Sequence, residues 1–208
     1  AIQNSSYTMT LSEKMGIRYK AHNIDSHLGF IDQGIEQMYF LINDISQFNR
    51  IENDLSQSRQ KVDLNQVIAQ VRLTLKSVIN SDSIVVKTPL STFKSNSGLI
   101  QLVFQNIIEN ALKYNNSKHP QVTIKETSVE NMICISFEDN GIGIDSTYHH
   151  QIFDYFKRLH TKDAYSGTGL GLGICKKIIN AYDGEISVQS MPGAGSIFTI
   201  KLPISLRV

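Results

Sequence analysis

Polar side chains that could hold a metal ion and a phosphate share one stripe of a predicted helix. Apolar spacing predicts this helix over Gly98–Tyr114. Asn106, Asn110 and Lys113 recur on it at intervals of four and three residues, which places them on one face. Amide oxygens can ligate Mg²⁺, and a lysine ammonium can meet a phosphate as a point charge. A solvated helix face would show the same stripe, so the stripe alone leaves both interpretations open.

A second group of candidate residues is the segment DNGIG, residues 139–143, which directly follows a predicted strand. Gly141 and Gly143 would let the backbone turn tightly and approach a flat ligand. The carboxylate of Asp139 could then accept a hydrogen bond from an exocyclic amine. Asp-Asn-Gly is also a common turn sequence, so an ordinary strand-exit turn is the alternative.

A third candidate is the glycine-rich segment GTGLGLG, residues 167–173, which is followed by a helical run over Ile174–Ala181. A loop that leads into a helix N-terminus favours anions, because the first backbone N–H groups point out of the helix. The segment lacks the strand-first, acid-later context of a dinucleotide fingerprint and the Gly-Lys-Ser/Thr ending of a P-loop. Leucines alternate with the glycines, which argues against a flexible linker.

The elements that must position these residues form an α+β pattern after residue 58. Helices are predicted from an N-cap at Asp63 to about Ile79, over Gly98–Tyr114, near Tyr148–Tyr155 and over Leu170–Tyr182. Strands are predicted at Ile84–Lys87, Gln121–Thr127, Met132–Glu138, Ile186–Gln189 and Ser196–Leu202.

The N-terminal part of the chain predicts an antiparallel helical hairpin. One helix is predicted over residues 1–19, a turn over 20–23, and a second helix over 24–51 with a regular apolar seam. The seam consists of Ile24, Leu28, Ile31, Ile35, Met38, Ile42 and Ile45. A lone hairpin buries little, so we expect it to pair with a second copy in a dimeric four-helix bundle. The polar run over 52–61 places the domain boundary between residues 58 and 59, which gives domains 1–58 and 59–208.

Composition excludes several classes of protein. The formal charge is +1, with 20 Lys and Arg scattered against 19 Asp and Glu, which argues against a nucleic-acid-binding domain. No window reaches the ~20 apolar residues of a membrane-spanning helix, and no signal-peptide layout begins the chain. We therefore expect no membrane contact by this chain and a cytoplasmic location. Cys134 and Cys175 sit among apolar neighbours, which predicts two buried, reduced thiols.

In their order and spacing these segments resemble the sequence boxes of sensor histidine kinases. The N box resembles QNIIENALKY (105–114), the G1 box DNGIG (139–143), the F box IFDYF (152–156) and the G2 box GTGLG (167–171). The resemblance covers nearly the whole chain after Lys61, and residues 37–51 resemble the dimerisation and histidine-phosphotransfer domain. It implies a helical hairpin of the dimeric four-helix-bundle type, followed by an ATP-binding α/β sandwich with a mixed sheet and helices on one face.

The resemblance also implies roles for individual residues in an ATP and Mg²⁺ site. Asp139 would accept from the adenine amino group, and Asn110 would ligate a Mg²⁺ that bridges the phosphates. Lys113 and Tyr114 would line the same groove. The phosphates would meet the second glycine loop, which contributes Gly167, Thr168, Gly169, Leu170 and Gly171. Residues 158–166 resemble the ATP lid, where Arg158 would either direct its charge at the γ-phosphate or face solvent.

Asn106 separates a kinase from a hydrolase within the wider superfamily. Hydrolases of the gyrase type carry a glutamate four residues before the Mg²⁺-binding asparagine, where it activates water. Asn106 occupies that position and cannot act as a carboxylate base, which favours phosphoryl transfer to another acceptor. Asn106 and Lys113 are therefore the candidate catalytic residues.

The implied activity is phosphorylation of a histidine on the dimerisation helix, for relay to an aspartate of a response-regulator receiver domain. The family's acceptor is a histidine followed by an acidic residue, and no histidine of this chain has that context. We expect the acceptor to lie upstream of Ala1, so that this chain binds ATP without phosphorylating itself. The alternatives are a nucleotide-binding dimerisation or docking module without kinase activity, and a gyrase-like ATPase, which Asn106 disfavours.

Overall fold

The structure, a computed structural model, describes residues 51–56, 58–76, 81–159 and 168–208, together with separate helical positions between His27 and Asn49. The chain divides into two compact units, Ala1–Asn43 and Asp44–Val208. The predicted first helix and the turn after it lie outside the described residues, so the hairpin stays a prediction. Within the part of the chain that is described, no helix combines the length and the apolar character needed to cross a membrane.

Five described positions of the predicted seam in the first unit carry large apolar side chains that face solvent. Each of these positions is helical, and their side chains are between 52% and 62% exposed. They are Leu28, Ile31, Ile35, Met38 and Ile42. Burying apolar surface is the main favourable term in association, so covering this exposed seam would be favourable.

The second unit is built on a five-stranded mixed sheet and a separate two-stranded sheet. The strands are β1 (Gln60–Asp63), β2 (Ile84–Val86), β3 (Thr92–Ser95), β4 (Val122–Val129), β5 (Met132–Asp139), β6 (Glu185–Ser190) and β7 (Ser196–Pro203). The large sheet has the order β2-β4-β5-β7-β6, in which only the β2–β4 pair is parallel. In its register Asp139 at the end of β5 lies opposite Val122 at the start of β4.

Three helices cover one face of the large sheet: α1 (Leu64–Thr74), α2 (Ser97–Lys113) and α3 (Gly171–Asn180). α2 packs on β4 and β5, α3 packs on β6, and both α1 and α3 pack against α2. Asp63 caps α1 by accepting from Asn65 N, and Asn96 caps α2 in the same way. Alternate residues of β5 are buried against the helices, among them Ile133, Ile135 and Phe137. The predicted α+β fold, with a mixed sheet and helices on one face, is confirmed.

Three elements differ from the sequence predictions. The helix predicted from Asp63 to about Ile79 ends earlier, because α1 stops at Thr74 and residues 75–76 form a turn. The predicted helix near Tyr148–Tyr155 is wrong, because this segment forms two single-turn 3-10 helices, Ser146–Tyr148 and Gln151–Phe153. Asp145 caps the first by accepting from Thr147 N, and the chain turns at residues 149–150 before the second, in which Ile152 and Phe153 are buried. The small antiparallel β1–β3 sheet was not predicted, since its strands are four residues long and 28 residues separate them.

The polar run after the seam packs within the second unit. Residues 51–56 are helical, and the side chain of Ile51 is 1% exposed within the core. Glu52 pairs with Lys177 of α3 at 2.9 Å, and the Arg59 guanidinium lies 4.9 Å from the centre of the Tyr182 ring. These contacts attach residues 51–59 to the sheet domain, while the predicted boundary at 58/59 stays a prediction.

The two cysteines lie in different environments. Cys175 of α3 is fully buried, and that burial raises the pKa of its thiol. Cys134 of β5 is only half-buried, because its position alternates with the inward-facing Ile133 and Ile135 and points away from the helices. Burial was therefore predicted correctly for Cys175 and wrongly for Cys134.

A buried hydroxyl gives a stability prediction for β3. The side chain of Ser95 is 2% exposed, and its Oγ has no hydrogen-bond partner among the described residues. Because an unpaired buried hydroxyl costs free energy, Ser95→Ala is expected to raise the free energy of unfolding by about 1 kcal/mol. Urea unfolding followed by circular dichroism measures this change.

Ser91→Ala is the matched control for this measurement. Ser91 is also buried, but its Oγ donates to the carboxylate of Glu126, and its backbone N–H donates to the same group. Removing that donor is expected to lower the free energy of unfolding by about 1–2 kcal/mol. If the two alanine variants shifted stability in the same direction, the assignment of an unpaired Ser95 hydroxyl would be wrong.

Candidate functional site

The candidate site centres on Asp139, which ends β5 and is 9% exposed. Its Oδ1 accepts two backbone hydrogen bonds, from Gly141 N at 2.8 Å and from Ser196 N at 3.1 Å. No donor among the described residues contacts Oδ2. The carboxylate is therefore held through one oxygen and presents the other as an acceptor.

The protonation of Asp139 reflects a balance of burial and hydrogen bonding. Burial raises the pKa of its carboxyl above the ordinary value, and the N–H groups of Gly141 and Ser196 oppose that shift by stabilising the charged form. A buried carboxylate with only two donors gains when a further donor arrives. An amino group on a planar ligand is one kind of donor that could reach it.

Residues 139–144 form the Asp139 loop, which contacts the C-terminal end of α2. Ile142 N donates to the carbonyl oxygen of Tyr114 at 3.0 Å. A Cβ on Gly141 would overlap that same carbonyl oxygen, so the close approach requires glycine. The last turn of α2, with Asn110 and Lys113, thereby lies beside the loop that follows Asp139. The structure brings these predicted residues together.

Positive charge gathers at this end of α2. The pKa of Lys113 lies below its ordinary value of 10.5, first because the ammonium is partly buried and second because Arg158 lies nearby, while Glu109 acts in the opposite direction. The Lys113 ammonium also lies 4.9 Å from the centre of the Tyr114 ring. The cations of Lys113 and Arg158 repel each other, so a multiply charged anion between them would relieve the repulsion.

The second glycine loop enters α3 beside the F-box segment. Gly169 has φ +81°, and a Cβ there would lie 2.8 Å from the carbonyl oxygen of Lys157. Leu170 anchors the loop in the core at 3% exposure and makes no side-chain cap for α3. Its backbone N–H donates to the Thr168 hydroxyl oxygen at 3.3 Å. Gly167 and residues 160–166 lie outside the described residues, so their predicted roles stay predictions.

Asn106 joins α2 to the start of α3. Its Nδ2 donates to Leu102 O at 2.9 Å, and a Cβ on Gly171 would overlap its Oδ1. The side chain therefore packs against the first residue of α3, where it holds the second glycine loop next to the stripe of α2. Its catalytic role stays a prediction.

Sequence reasoning missed a third glycine turn that supports Asp139. Residues 191–195 (MPGAG) connect β6 to β7 and pack backbone against backbone on the Asp139 loop. Gly193 N donates to Ile142 O at 2.8 Å, and a Cβ on Gly143 would overlap the carbonyl oxygen of Met191. Two glycines within five residues could have indicated a tight turn that packs closely on another backbone. The sequence analysis predicted only that this segment belongs to a closing pair of strands.

Asn140, the second residue of DNGIG, orders the loop that follows α2. Its Oδ1 accepts from Asn115 Nδ2 at 2.8 Å and from Gln121 N at 2.9 Å, and its Nδ2 donates to His119 O at 3.0 Å. One carboxamide thus connects the end of α2 with the start of β4. The role of this side chain is structural.

The chain matches a described protein family over most of its second unit. Residues 95–206 match the family of histidine kinase-, DNA gyrase B-, and HSP90-like ATPases. This range begins at the end of β3 and contains α2, Asp139, both glycine loops and the β6–β7 turn.

Known proteins similar to the chain include sensor kinases. The phytochrome-like protein Cph1 of Synechocystis sp. is 34% identical over 206 residues, which is 97% of this chain and 27% of that protein. The sensor protein kinase WalK of Staphylococcus haemolyticus is 31% identical over 206 residues, 96% of this chain and 33% of that protein. The structure of the mycobacterial sensor histidine kinase MprB has a TM-score of 0.61 at 22% identity, covering 70% of this chain and 97% of that one. The chain thus spans about a third or less of the length of the two relatives.

Proposed function

We propose that the chain is the catalytic core of a two-component sensor. It belongs to the family of histidine kinase-, DNA gyrase B-, and HSP90-like ATPases and is homologous to sensor histidine kinases. In this proposal the ATP-binding domain phosphorylates a histidine on the dimerisation helix, for relay to a response-regulator aspartate. The observation that carries the proposal is the buried carboxylate of Asp139, held through Oδ1 and open at Oδ2 beside the cationic end of α2.

The proposed nucleotide pose follows the chemistry of the described side chains. Oδ2 of Asp139 accepts from the adenine amino group, and Gly141 and Gly143 support this by letting the loop pack closely against the backbone of Tyr114 and Met191. Asn110 ligates Mg²⁺, a hard cation that keeps several waters and binds phosphate oxygens as well. Lys113, Tyr114 and the second glycine loop line the phosphate end of the groove, where Arg158 adds charge.

Phosphoryl transfer depends on positioning and charge neutralisation more than on a protein base. Asn106 supports transfer over hydrolysis because a carboxamide cannot deprotonate water, and its packing against Gly171 holds the phosphate loop in place. Lys113 and Mg²⁺ would neutralise charge that develops on the transferred group. The receiving group in this proposal is a histidine presented by the helical hairpin.

Dimerisation through the hairpin is supported by the exposed seam. Five large apolar side chains of the predicted seam, from Leu28 to Ile42, are more than half exposed in the single chain. Such a stripe is stable in water when a second copy covers it, as in a four-helix bundle. The proposed partners are therefore a second copy of the chain and a response-regulator receiver domain. The domain boundary at 58/59 and the cytoplasmic location belong to the same proposal.

A transfer experiment tests the proposed function. The chain is mixed with Mg²⁺, ATP labelled on its γ-phosphate, and the full-length natural protein carrying Asp139→Asn, so that only the added chain can use ATP. The expected result is acid-labile, base-stable label on a histidine of the full-length protein. The same mixture with Asp139→Asn in both chains should remain unlabelled.

The alternatives give different results in the same experiment. A nucleotide-binding dimerisation or docking module would bind ATP and form mixed dimers without transferring label. A gyrase-like ATPase would release inorganic phosphate steadily in the absence of any acceptor. Either outcome would overturn the kinase proposal while leaving the fold and the family unchanged.

The lowered pKa of Lys113 predicts a pH dependence of ATP binding. Phosphate favours the charged ammonium, so the pKa of Lys113 is higher in the complex than in the free protein, and the complex holds more protons between the two values. ATP affinity is therefore expected to fall as pH rises through this alkaline window. Calorimetric titrations from about pH 7 to 10 measure the affinity, and buffers of different ionisation enthalpy report the proton uptake.

Two variants control this prediction. Lys113→Arg keeps a cation that does not titrate in this range and should flatten the pH profile. Lys118→Arg changes an exposed lysine beyond the end of α2 and should leave the profile unchanged. An unaltered profile in Lys113→Arg would show that Lys113 does not meet the phosphates.

A further inference from the structure

The hydroxyl of Ser190, the last residue of β6, lies at the junction of three backbone segments. It accepts from Ile144 N at 2.8 Å, it lies 2.7 Å from Gly195 O, and it lies 2.9 Å from the Ser196 hydroxyl. A serine hydroxyl has one proton to donate and two lone pairs to accept with. Donation to Gly195 O and acceptance from Ile144 N and the Ser196 hydroxyl use all three, so the group is fully satisfied.

This junction reaches Asp139 through one residue. Ser196, whose hydroxyl contacts Ser190, donates its backbone N–H to Asp139 Oδ1 at 3.1 Å. Gly195 lies against the backbone of Asp139 so closely that a Cβ there would overlap the Asp139 carbonyl oxygen. The placement of Gly195 and Ser196, where the turn enters β7, therefore sets one of the two donors that hold the carboxylate.

The same hydroxyl also fixes the far end of the Asp139 loop. Ile144 follows Gly143, the last glycine of DNGIG, and its N–H points at Ser190 instead of at a ladder partner. The Asp139 loop and the β6–β7 turn are otherwise joined by backbone contacts, such as Gly193 N to Ile142 O at 2.8 Å. Ser190 adds the side chain that binds both loops at once.

We propose that Ser190 is a positioning residue for adenine recognition: by tying Ile144, Gly195 and Ser196 together, its hydroxyl orients the Asp139 carboxylate so that Oδ2 faces the exocyclic amine. Ser190 itself does not touch the nucleotide. The inference rests on the proposed function, in which Asp139 accepts from the adenine amino group. It goes beyond that function by assigning the amine selectivity of the site to a residue of β6.

Removal of the hydroxyl has a specific consequence for the ligand. In Ser190→Ala the Ile144 N–H loses its acceptor, Gly195 O loses its donor, and the Ser196 hydroxyl must turn to another partner. The Ser196 N–H then no longer holds Oδ1 in one place, and the carboxylate can rotate away from the amine. The phosphate end of the groove, built from α2 and the second glycine loop, makes none of these contacts.

The test compares two nucleotides on the 208-residue chain. ATP carries the exocyclic amine, and purine riboside triphosphate lacks it but is otherwise the same molecule. For Ser190→Ala the dissociation constant of ATP is expected to rise about tenfold, while that of purine riboside triphosphate changes by less than about twofold, since only the coupling to the amine is removed. Isothermal titration calorimetry with Mg²⁺ measures all four constants.

Two further variants separate positioning from a general loss of structure. Ser187, three residues earlier on the same strand, pairs with Thr199 through the sheet ladder, and its hydroxyl makes no hydrogen bond among the described contacts. Ser187→Ala should therefore bind both nucleotides as the wild type does. Ser190→Thr keeps the hydroxyl and should restore the ATP preference. Thermal unfolding of each variant confirms that the titrated protein is folded.

The outcomes distinguish this inference from the proposed function. If the wild type binds the two nucleotides equally, Asp139 does not read the amine and the adenine part of the proposed function fails. In the other outcome, the wild type prefers ATP while Ser190→Ala weakens the binding of both nucleotides equally, or of neither. Ser190 is then a structural residue, and the inference is overturned.

Discussion

Asp139→Asn is expected to raise the dissociation constant for ATP at least about 100-fold, because an acceptor of the amine is replaced by a donor. The asparagine oxygen can still accept from Gly141 N and Ser196 N, as Oδ1 of the carboxylate does. Its amide nitrogen then occupies the place of Oδ2. Because this nitrogen and the adenine amino group are both hydrogen-bond donors, they repel each other instead of forming a hydrogen bond. Calorimetric or fluorescent-nucleotide titration measures the loss.

The same substitution is expected to leave the free protein at least as stable as the wild type near neutral pH. Burial raises the pKa of Asp139 in the folded state, so the folded protein binds a proton more tightly than the unfolded chain does. The stability that this carboxyl contributes is present below the ordinary aspartate value of 3.8 and is lost as pH rises through the higher folded-state value. The carboxamide of the variant does not titrate, so its stability advantage should appear above this window and vanish below it.

Asp183→Asn serves as the control for both measurements. This exposed aspartate follows α3 and makes no contact with the Asp139 loop among the described residues. It should alter ATP affinity by less than about twofold, as expected for an exposed surface substitution. ATP binding that survived in Asp139→Asn would remove the carboxylate from the adenine site and with it the observation on which the proposed function rests.

Gly195→Ala is expected to lower the free energy of unfolding by more than about 3 kcal/mol, as overpacking against backbone does in a rigid site. Gly195 has φ +78°, and the added Cβ would overlap the carbonyl oxygen of Asp139, which belongs to the central strand β5. Neither backbone can move alone, because Ser196 N and Ser190 hold the turn in place. Urea unfolding without nucleotide measures the change.

Gly193→Ala measures the conformational cost alone, so its comparison with Gly195→Ala gives the steric part of the effect. Gly193 has nearly the same backbone conformation, φ +80°, but a Cβ there meets nothing within 4 Å. The left-handed conformation alone costs an alanine about 1–2 kcal/mol, so the excess loss in Gly195→Ala reports the contact with Asp139. Equal losses in the two variants would mean that the turn does not press on Asp139.

Several parts of the fold followed from the sequence because their causes are local. Asp63 begins α1 as predicted, since a carboxylate followed by a helical apolar pattern is a local capping signal. The helix that carries Asn110 and Lys113 was predicted within one residue at each end, because its seventeen residues repeat the same apolar face. The strand predicted over Met132–Glu138 from its alternating or apolar pattern is likewise present, and β5 extends it by Asp139 alone.

Other parts depend on partners far away in sequence. The β1–β3 pair joins strands too short to show a pattern, so only the pairing reveals them. The segment after Asp145 looks helical by composition, but it forms two single 3-10 turns, the second of which buries Ile152 and Phe153 in the core. Tertiary contacts therefore decided the structure in both places, by strand pairing in the first and by core burial in the second.

The sequence by itself determined the kind of site: residue types, box order and helix phase were enough to nominate Asp139, Asn110, Lys113 and the glycine loops. Only the tertiary structure decided how the carboxylate is held. Ser196 lies 57 residues from Asp139 along the chain, and the hydroxyl of Ser190 reaches that junction from another strand. Helix capping and apolar periodicity depend on residues close together in the chain and can be recognised from the amino-acid sequence. The donors to a buried carboxylate come instead from whichever strands the sheet places beside it.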